Sequence, residues 1–195
     1  MKVSAEKKAQ NRKAILTTAG RLLRAKGPDG IGVAEVMDGA GLTHGAFYGY
    51  FPSREALTAE AVSEAMEQTV KYAESAIAMG GFDSFVRAYL SPEHLAEVED
   101  GCPIAATVSE MARQPQVVRA AFASGMKAYL DGASAGQDRN AAISRLAGMI
   151  GALAVARAVA AEDRGLAEEI LSAVCLNQTG MQAQVAGIGE HSPTV

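Results

Sequence analysis

The sequence predicts an all-α protein, an N-terminal three-helix helix-turn-helix module followed by a C-terminal helical domain. Three observations carry this. Apolar residues recur at helical spacing in every long segment, with no strand-like alternation to compete. Gly and Pro punctuation cuts the chain into helix-length pieces. Near the N-terminus two short pieces, 33–40 and 43–51, flank a single turn glycine, Gly41.

The first helix is expected over 5–26. Ser4 stands where an N-cap belongs, and Ile15, Leu16, Ala19, Leu22 and Leu23 fall on one face. Gly27-Pro28 then ends it in the usual order, glycine at the cap and proline beyond. Segment 33–40 is a second short helix, closed by Gly41 in the left-handed conformation that glycine adopts without steric cost. Leu42 is expected to drop into the core, and the Thr43 hydroxyl to cap a third helix of about two turns, too short to stand alone. Pro52 stops that helix, and Ser53-Arg54-Glu55 begins a new one.

In such a pair the second helix is the one presented to DNA. Tyr48 and Tyr50 face outward, where a phenol can donate to a phosphate oxygen. Gly45 removes a side chain where backbone can approach closely, and the amides at the start of the next helix can also face phosphate.

That next helix is expected over 53–79, with Leu57, Ala61, Ala65 and Val70 inward, broken by Gly80-Gly81. Helical pieces follow at 82–90, 92–98, 103–113, 116–133, 140–161 and 166–178. Ser91-Pro92, Asp100-Gly101-Cys102-Pro103, Gln114-Pro115, Gly136 and Gly165 separate them. The tail from Gly187 reads as frayed.

Net charge is −4, but its distribution matters more than its sign. Residues 1–54 hold nine Lys/Arg against four acids, whereas the rest holds nine against eighteen. A basic N-terminal quarter on an acidic body is an electrostatic footprint for DNA at one end. No apolar run is read as a membrane span, and the start lacks the apolar stretch of a signal peptide, so a soluble cytoplasmic protein is expected. Cys102 and Cys175 have no short spacing, and His44, His94 and His191 are scattered, so neither a disulfide scaffold nor a metal site is expected. The glycine-rich 39–45 lacks the Gly-Lys-Ser/Thr of a phosphate loop and follows no strand. No enzyme and no cofactor are expected.

The stretch Gly41-Leu42-Thr43-His44-Gly45-Ala46-Phe47-Tyr48-Gly49-Tyr50-Phe51-Pro52-Ser53-Arg54-Glu55-Ala56-Leu57 resembles the signature of the TetR family of bacterial transcriptional regulators. The likeness covers roughly residues 10–60. It implies a DNA-binding domain over 1–52 and a helical effector-binding and dimerisation domain over 53–195. It also implies a homodimer on a palindromic operator in double-stranded DNA, most often as a repressor released by a small-molecule effector. The long helix from Ser53 is then the lever that transmits the ligand state. One position departs from the pattern. Met37 stands where such motifs carry alanine at a close helix crossing, and a flexible thioether can fit there.

By the same likeness His44 and Gly45 sit at base-contacting positions, and Thr43, Tyr48, Tyr50 and Arg54 at phosphate-contacting ones. Phe47 and Phe51 read as core, and Arg12 and Lys13 can reach flanking phosphate. Gly49 replaces a larger residue of many relatives. An effector pocket is implied on the middle helices, with Phe85, Tyr89, Met111, Phe122, Met126, Tyr129 and Met149 as candidates and Glu110 as a polar anchor. Aromatic and Met side chains suit an apolar, adaptable ligand. Segment 141–161, rich in small residues with only Arg145 and Arg157 charged, suits packing against a twin subunit.

Two alternatives stand beside this. Cys102 begins a helix and lies in a stretch resembling one branch of the family, some of whose members sense oxidants or electrophiles, so a thiol sensor is one. A dimeric architectural DNA-binding protein without ligand control is the other.

Overall fold

The computed structural model describes residues 4–134 and 138–180. The expected break at Gly136, the tail from Gly187 and His191 lie outside them. The described residues form helices α1 (Ala5–Lys26), α2 (Val33–Gly39), α3 (Arg54–Tyr89), α4 (Pro92–Ala96), α5 (Pro103–Met111), α6 (Gln116–Ala133), α7 (Arg139–Val159) and α8 (Arg164–Gln178). Two 3₁₀ segments, Pro28–Gly30 and His44–Gly49, complete them, and no strand occurs among the described residues. The chain divides into two compact units, Met1–Glu74 with Glu97–Ala135, and Ser75–Ala96 with Gly136–Val195. The expected border at 52–53 therefore falls inside the first unit.

In the first unit α1 begins where its cap dictates, with the Ser4 hydroxyl accepting from the Lys7 amide at 3.2 Å. Ile15, Leu16, Ala19 and Leu23 are buried, while Leu22 is only half-buried. α2 approaches α1 closely at Gly39, where a Cβ would stand 2.7 Å from Thr18 Cγ2. Met37 is simply buried. α3 starts on a Ser53 cap, whose hydroxyl accepts from the Ala56 amide at 3.2 Å. Hydrogen bonding at this cap, from the helix-start backbone and then Ser53, holds the Glu55 carboxyl below its usual value. Leu57, Ala61 and Ala65 face inward as expected, and Val70 is half-buried. α6 lies close along α3, since a Cβ on Gly125 would meet Met66 Cβ at 2.5 Å. The break expected at Gly80-Gly81 is present: Gly81 (φ 74°, ψ 169°) is non-helical and kinks α3, dividing it into two helices.

Unit two pairs α7 with α8, each capped by an aspartate: Asp138 accepts from the Ala141 amide at 2.8 Å and Asp163 from the Leu166 amide at 2.9 Å. Arg145 fastens this pair. Its guanidinium donates to the Asp83 carboxylate and the Gln178 carbonyl and lies 4.1 Å from the Phe82 ring centre. Contrary to the expectation from sequence, one described helix, α7, is long and apolar enough to cross a membrane by length and composition. Burial of Ala142, Leu146, Met149, Leu153 and Ala156 gives the same composition a second cause, a helix packed in a protein core.

Candidate nucleic-acid interface

Gly41 sets the geometry of the site. At φ 69° it closes α2 with two bonds: its own amide donates to the Asp38 carbonyl and the Leu42 amide to the Met37 carbonyl, both at 2.8 Å. This glycine-terminated double bond reverses the chain within two residues. Leu42 is half-buried rather than in the core. Thr43 occupies the cap position, but its side chain makes no cap bond; only its carbonyl is used, accepting from the Ala46 amide. The Thr43 hydroxyl is thereby left on an exposed residue.

The reading segment is a 3₁₀ helix over six residues, not an α-helix. With three residues per turn, side chains three apart eclipse one another. Phe47 and Phe51 anchor it from below, 2% and 1% exposed, with their rings stacked at 6.0 Å. Above, His44, Gly45, Tyr48 and Gly49 are exposed, Tyr48 to 75%. A Cβ on Gly45 or Gly49 would meet nothing within 4 Å, so both mark open backbone on this face. Tyr50 is half-buried, and its hydroxyl accepts from Asn11 Nδ2 on α1 at 2.9 Å.

Arg54, expected at phosphate, makes three hydrogen bonds within the protein. Its Nε donates to the Ile31 carbonyl at 3.0 Å, and Nη2 to the carbonyls of Pro28 at 3.2 Å and Asp29 at 2.6 Å. The guanidinium thus ties the start of α3 to the turn between α1 and α2. Arg54→Ala should lower the unfolding free energy by about 1–3 kcal/mol, because it takes the donor from the carbonyls of buried Pro28 and Ile31, while exposed Asp29 regains water. Arg54→Lys, a point charge, should restore only part of it. Urea unfolding of the three proteins decides. Equal stabilities would show that this fork is not structural.

Other bases of the N-terminal quarter are also committed. Arg12 pairs with Glu60 and lies over the Phe51 ring, Arg21 pairs with Asp100, and Lys26 with Glu35. Arg24 donates to the Gly101 carbonyl at 2.7 Å; burial pulls its guanidinium below the ordinary value, opposed by the charges of Cys102 and Asp100. Among the described residues, Lys7, Lys8 and Lys13 on the first half of α1 are exposed bases outside any ion pair. The charge available to DNA is therefore concentrated there, close to the Tyr50 ring, which Lys8 Nζ approaches to 5.9 Å.

The eight candidate pocket residues divide between the units. Met111, Phe122, Met126, Tyr129 and Glu110 belong to the first, and Phe85, Tyr89 and Met149 to the second. Phe85, Tyr89, Met111, Tyr129 and Met149 are buried, while Phe122 and Met126 are half-buried. The Tyr129 hydroxyl is buried without a hydrogen-bond partner, and burial drives its pKa up. Glu110 lies instead at the end of α1, its carboxylate oxygens 2.6 and 2.7 Å from where a Gly27 Cβ would be. Cys102 caps α5 through its backbone, buried and without a side-chain cap bond. Sequence reasoning missed Asn11, whose partner lies 39 residues away, and Gln114, buried with its amide donating to Asp29 at 3.3 Å.

Residues 15–61 match the family model described as bacterial regulatory proteins, tetR family. Among curated protein sequences there is no match to this chain. Solved structures share the fold over most of their length. One is a TetR transcriptional regulator of Chloroflexus aurantiacus (TM-score 0.74, 18% identity, covering 92% of this chain and 97% of that one). A second is reduced NemR of Escherichia coli (0.71, 18%, 87% and 95%). A third is the regulator FadR of Bacillus subtilis in complex with stearoyl-CoA (0.57, 17%, 84% and 97%). The matched residues run from the middle of α1 through the glycine turn and the reading segment into α3, so the part of the chain that carries the helix-turn-helix is similar to the bacterial regulatory proteins of the tetR family.

Proposed function

We propose that this protein is a ligand-responsive transcriptional repressor that binds a palindromic operator as a homodimer and is released by a small, largely apolar effector. Residues 1–52 serve as the DNA-binding part and 53–195 as the effector-binding and dimerisation part, in the cytoplasm. The observation that carries the DNA reading is the two-sided reading segment, held from below by Phe47 and Phe51 while Thr43, His44, Gly45 and Tyr48 stay exposed. His44 and Gly45 then meet base edges, and Thr43, Tyr48, Tyr50 and Arg54 meet phosphate.

Dimerisation is supported by the apolar side chains that α7 and α8 leave exposed, Ile143, Val155, Leu166 and Leu176, beside exposed Ala147 and Gly151. A two-fold pair would set its reading segments about 34–36 Å apart, or a multiple of that. The fold neighbour that carries stearoyl-CoA, and the Met and aromatic content of α5 and α6, favour an apolar effector. An effector can act only through unequal affinity for the two conformations. A second reading, thiol sensing through Cys102, is favoured by its place at the N-terminal cap of α5. Operator release by oxidant in the wild type, lost in Cys102→Ser, would establish it.

The test is selection of genomic fragments by the purified protein at two salt concentrations. One or a few palindromic sites, weakening steeply with salt, are expected. Binding without sequence preference would put an architectural protein in its place. On the recovered site, Tyr48→Phe should weaken binding about threefold to tenfold whatever the sequence. His44→Ala should change base preference, by about 1–3 kcal/mol at the position it reads. Unchanged affinity and preference in both would show that another surface meets DNA.

A further inference from the structure

We infer that Asn11 is a positioning residue for phosphate recognition, fixing the Tyr50 phenol as an outward hydrogen-bond donor. This rests on the DNA reading above and names a part of the site that lies outside the reading segment.

The argument starts from the phenol's inventory, one donor and a pair of acceptor sites. Asn11 Nδ2 donates into the Tyr50 oxygen at 2.9 Å. One acceptor site is thereby filled from the α1 side, and the phenol's own proton cannot point at the group that donates to it. It turns away from α1. Donation into an oxygen also strengthens that oxygen's own O–H as a donor. Tyr50 is half-buried, so its ring is held while one edge stays accessible.

Charge completes the unit. Lys8, one turn before Asn11 on the same face of α1, holds its ammonium 5.9 Å from the Tyr50 ring centre. The next base, Arg12, is taken up by Glu60 and the Phe51 ring. An anion approaching the phenol therefore meets an oriented O–H and an uncommitted ammonium together, a pairing that suits a backbone phosphate rather than a base edge. Asn11 does not touch the phosphate in this arrangement. It acts through Tyr50.

The test uses the full chain and an operator fragment recovered by genomic selection. Affinity and melting temperature are measured for the wild type, Asn11→Ala, Asn11→Asp, Tyr50→Phe and the Asn11→Ala/Tyr50→Phe double variant. Asn11→Ala should weaken operator binding about threefold to tenfold, with base preference unchanged. Asn11→Asp should weaken it further, because a carboxylate draws the phenol's proton inward and adds a repelling charge. In the Tyr50→Phe background the Asn11→Ala change should cost nothing more, which separates positioning from a loss of folding or from direct contact. An Asn11→Ala effect that persists in full without the phenol hydroxyl, or no effect in the single variant, overturns the inference. Wild-type protein that fails to bind any fragment would instead refute the DNA reading itself.

Discussion

Replacing Phe47 with alanine should lower the unfolding free energy by about 3–5 kcal/mol, the range for deleting a buried aromatic side chain. The size follows from what Phe47 does. It is 2% exposed, stacks on Phe51 at 6.0 Å and takes the Tyr48 ring edge-on at 5.2 Å. The six-residue 3₁₀ segment that carries it has poor internal hydrogen-bond geometry and no stability of its own. Its attachment depends on the apolar side chains beneath it. For a protein of marginal stability this loss is a large share of the total. Thermal unfolding should fall by roughly 6–20 °C for a chain of this length. Operator binding should fall with it even at temperatures where the rest of the chain stays helical. Phe47→Leu keeps most of the buried volume and should recover most of both. A Phe47→Ala protein that melts with the wild type would mean that the segment is held by something other than its apolar underside.

Local signals in the sequence placed most of the fold. The start of α1 at Ala5 after Ser4, the ends at Gly27 and Gly41, and the proline starts of α4 and α5 each depend on residues within four positions of one another. What escaped reading depends on distant partners. The acceptors of Arg54, the carbonyls of Pro28, Asp29 and Ile31, lie 23 to 26 residues upstream. Nothing in the chain near Arg54 marks that commitment. The Asn11–Tyr50 bond and the Gln114–Asp29 bond, 85 residues apart, are invisible for the same reason. The unused Thr43 hydroxyl is a different case. A threonine before a short helix predicts a cap, but here the cap bond is not made. Asp138 and Asp163 were legible as caps and were overlooked; each stands three residues before the amide it accepts from.

These long-range ties also explain why the first unit unites helices remote in sequence. Arg24 reaches the Gly101 carbonyl, Arg21 pairs with Asp100, and Gln114 with Asp29. All run between the end of α1, with its following turn, and the residues flanking α5. The reading segment hangs from the same turn through Arg54.

That turn is where the second large effect is expected, in Gly27→Ala. Gly27 has φ 74° and ψ 175°, a region that side-chain-bearing residues hardly enter, and the strain of holding alanine there is about 1–3 kcal/mol. A second obstacle is steric, since the new Cβ would lie 2.6 Å from a Glu110 carboxylate oxygen. The two differ in how they can relax. Glu110 is a long side chain on the C-terminal turn of α5 and can swing its carboxylate toward water. The backbone has no such freedom, because Pro28 follows, is buried, and disfavours the helical alternative for the residue before it. Backbone strain should therefore dominate. Gly27→Ala should unfold well below the wild type in urea, and Gly27→Ala/Glu110→Ala should recover less than half of that loss. Glu110→Ala alone should be close to neutral. Full recovery in the double variant would show that the close approach of Glu110, and not the left-handed backbone, is what requires glycine. Operator affinity should track stability in this series, since strain at Gly27 displaces the Pro28 and Asp29 carbonyls on which Arg54 anchors the start of α3.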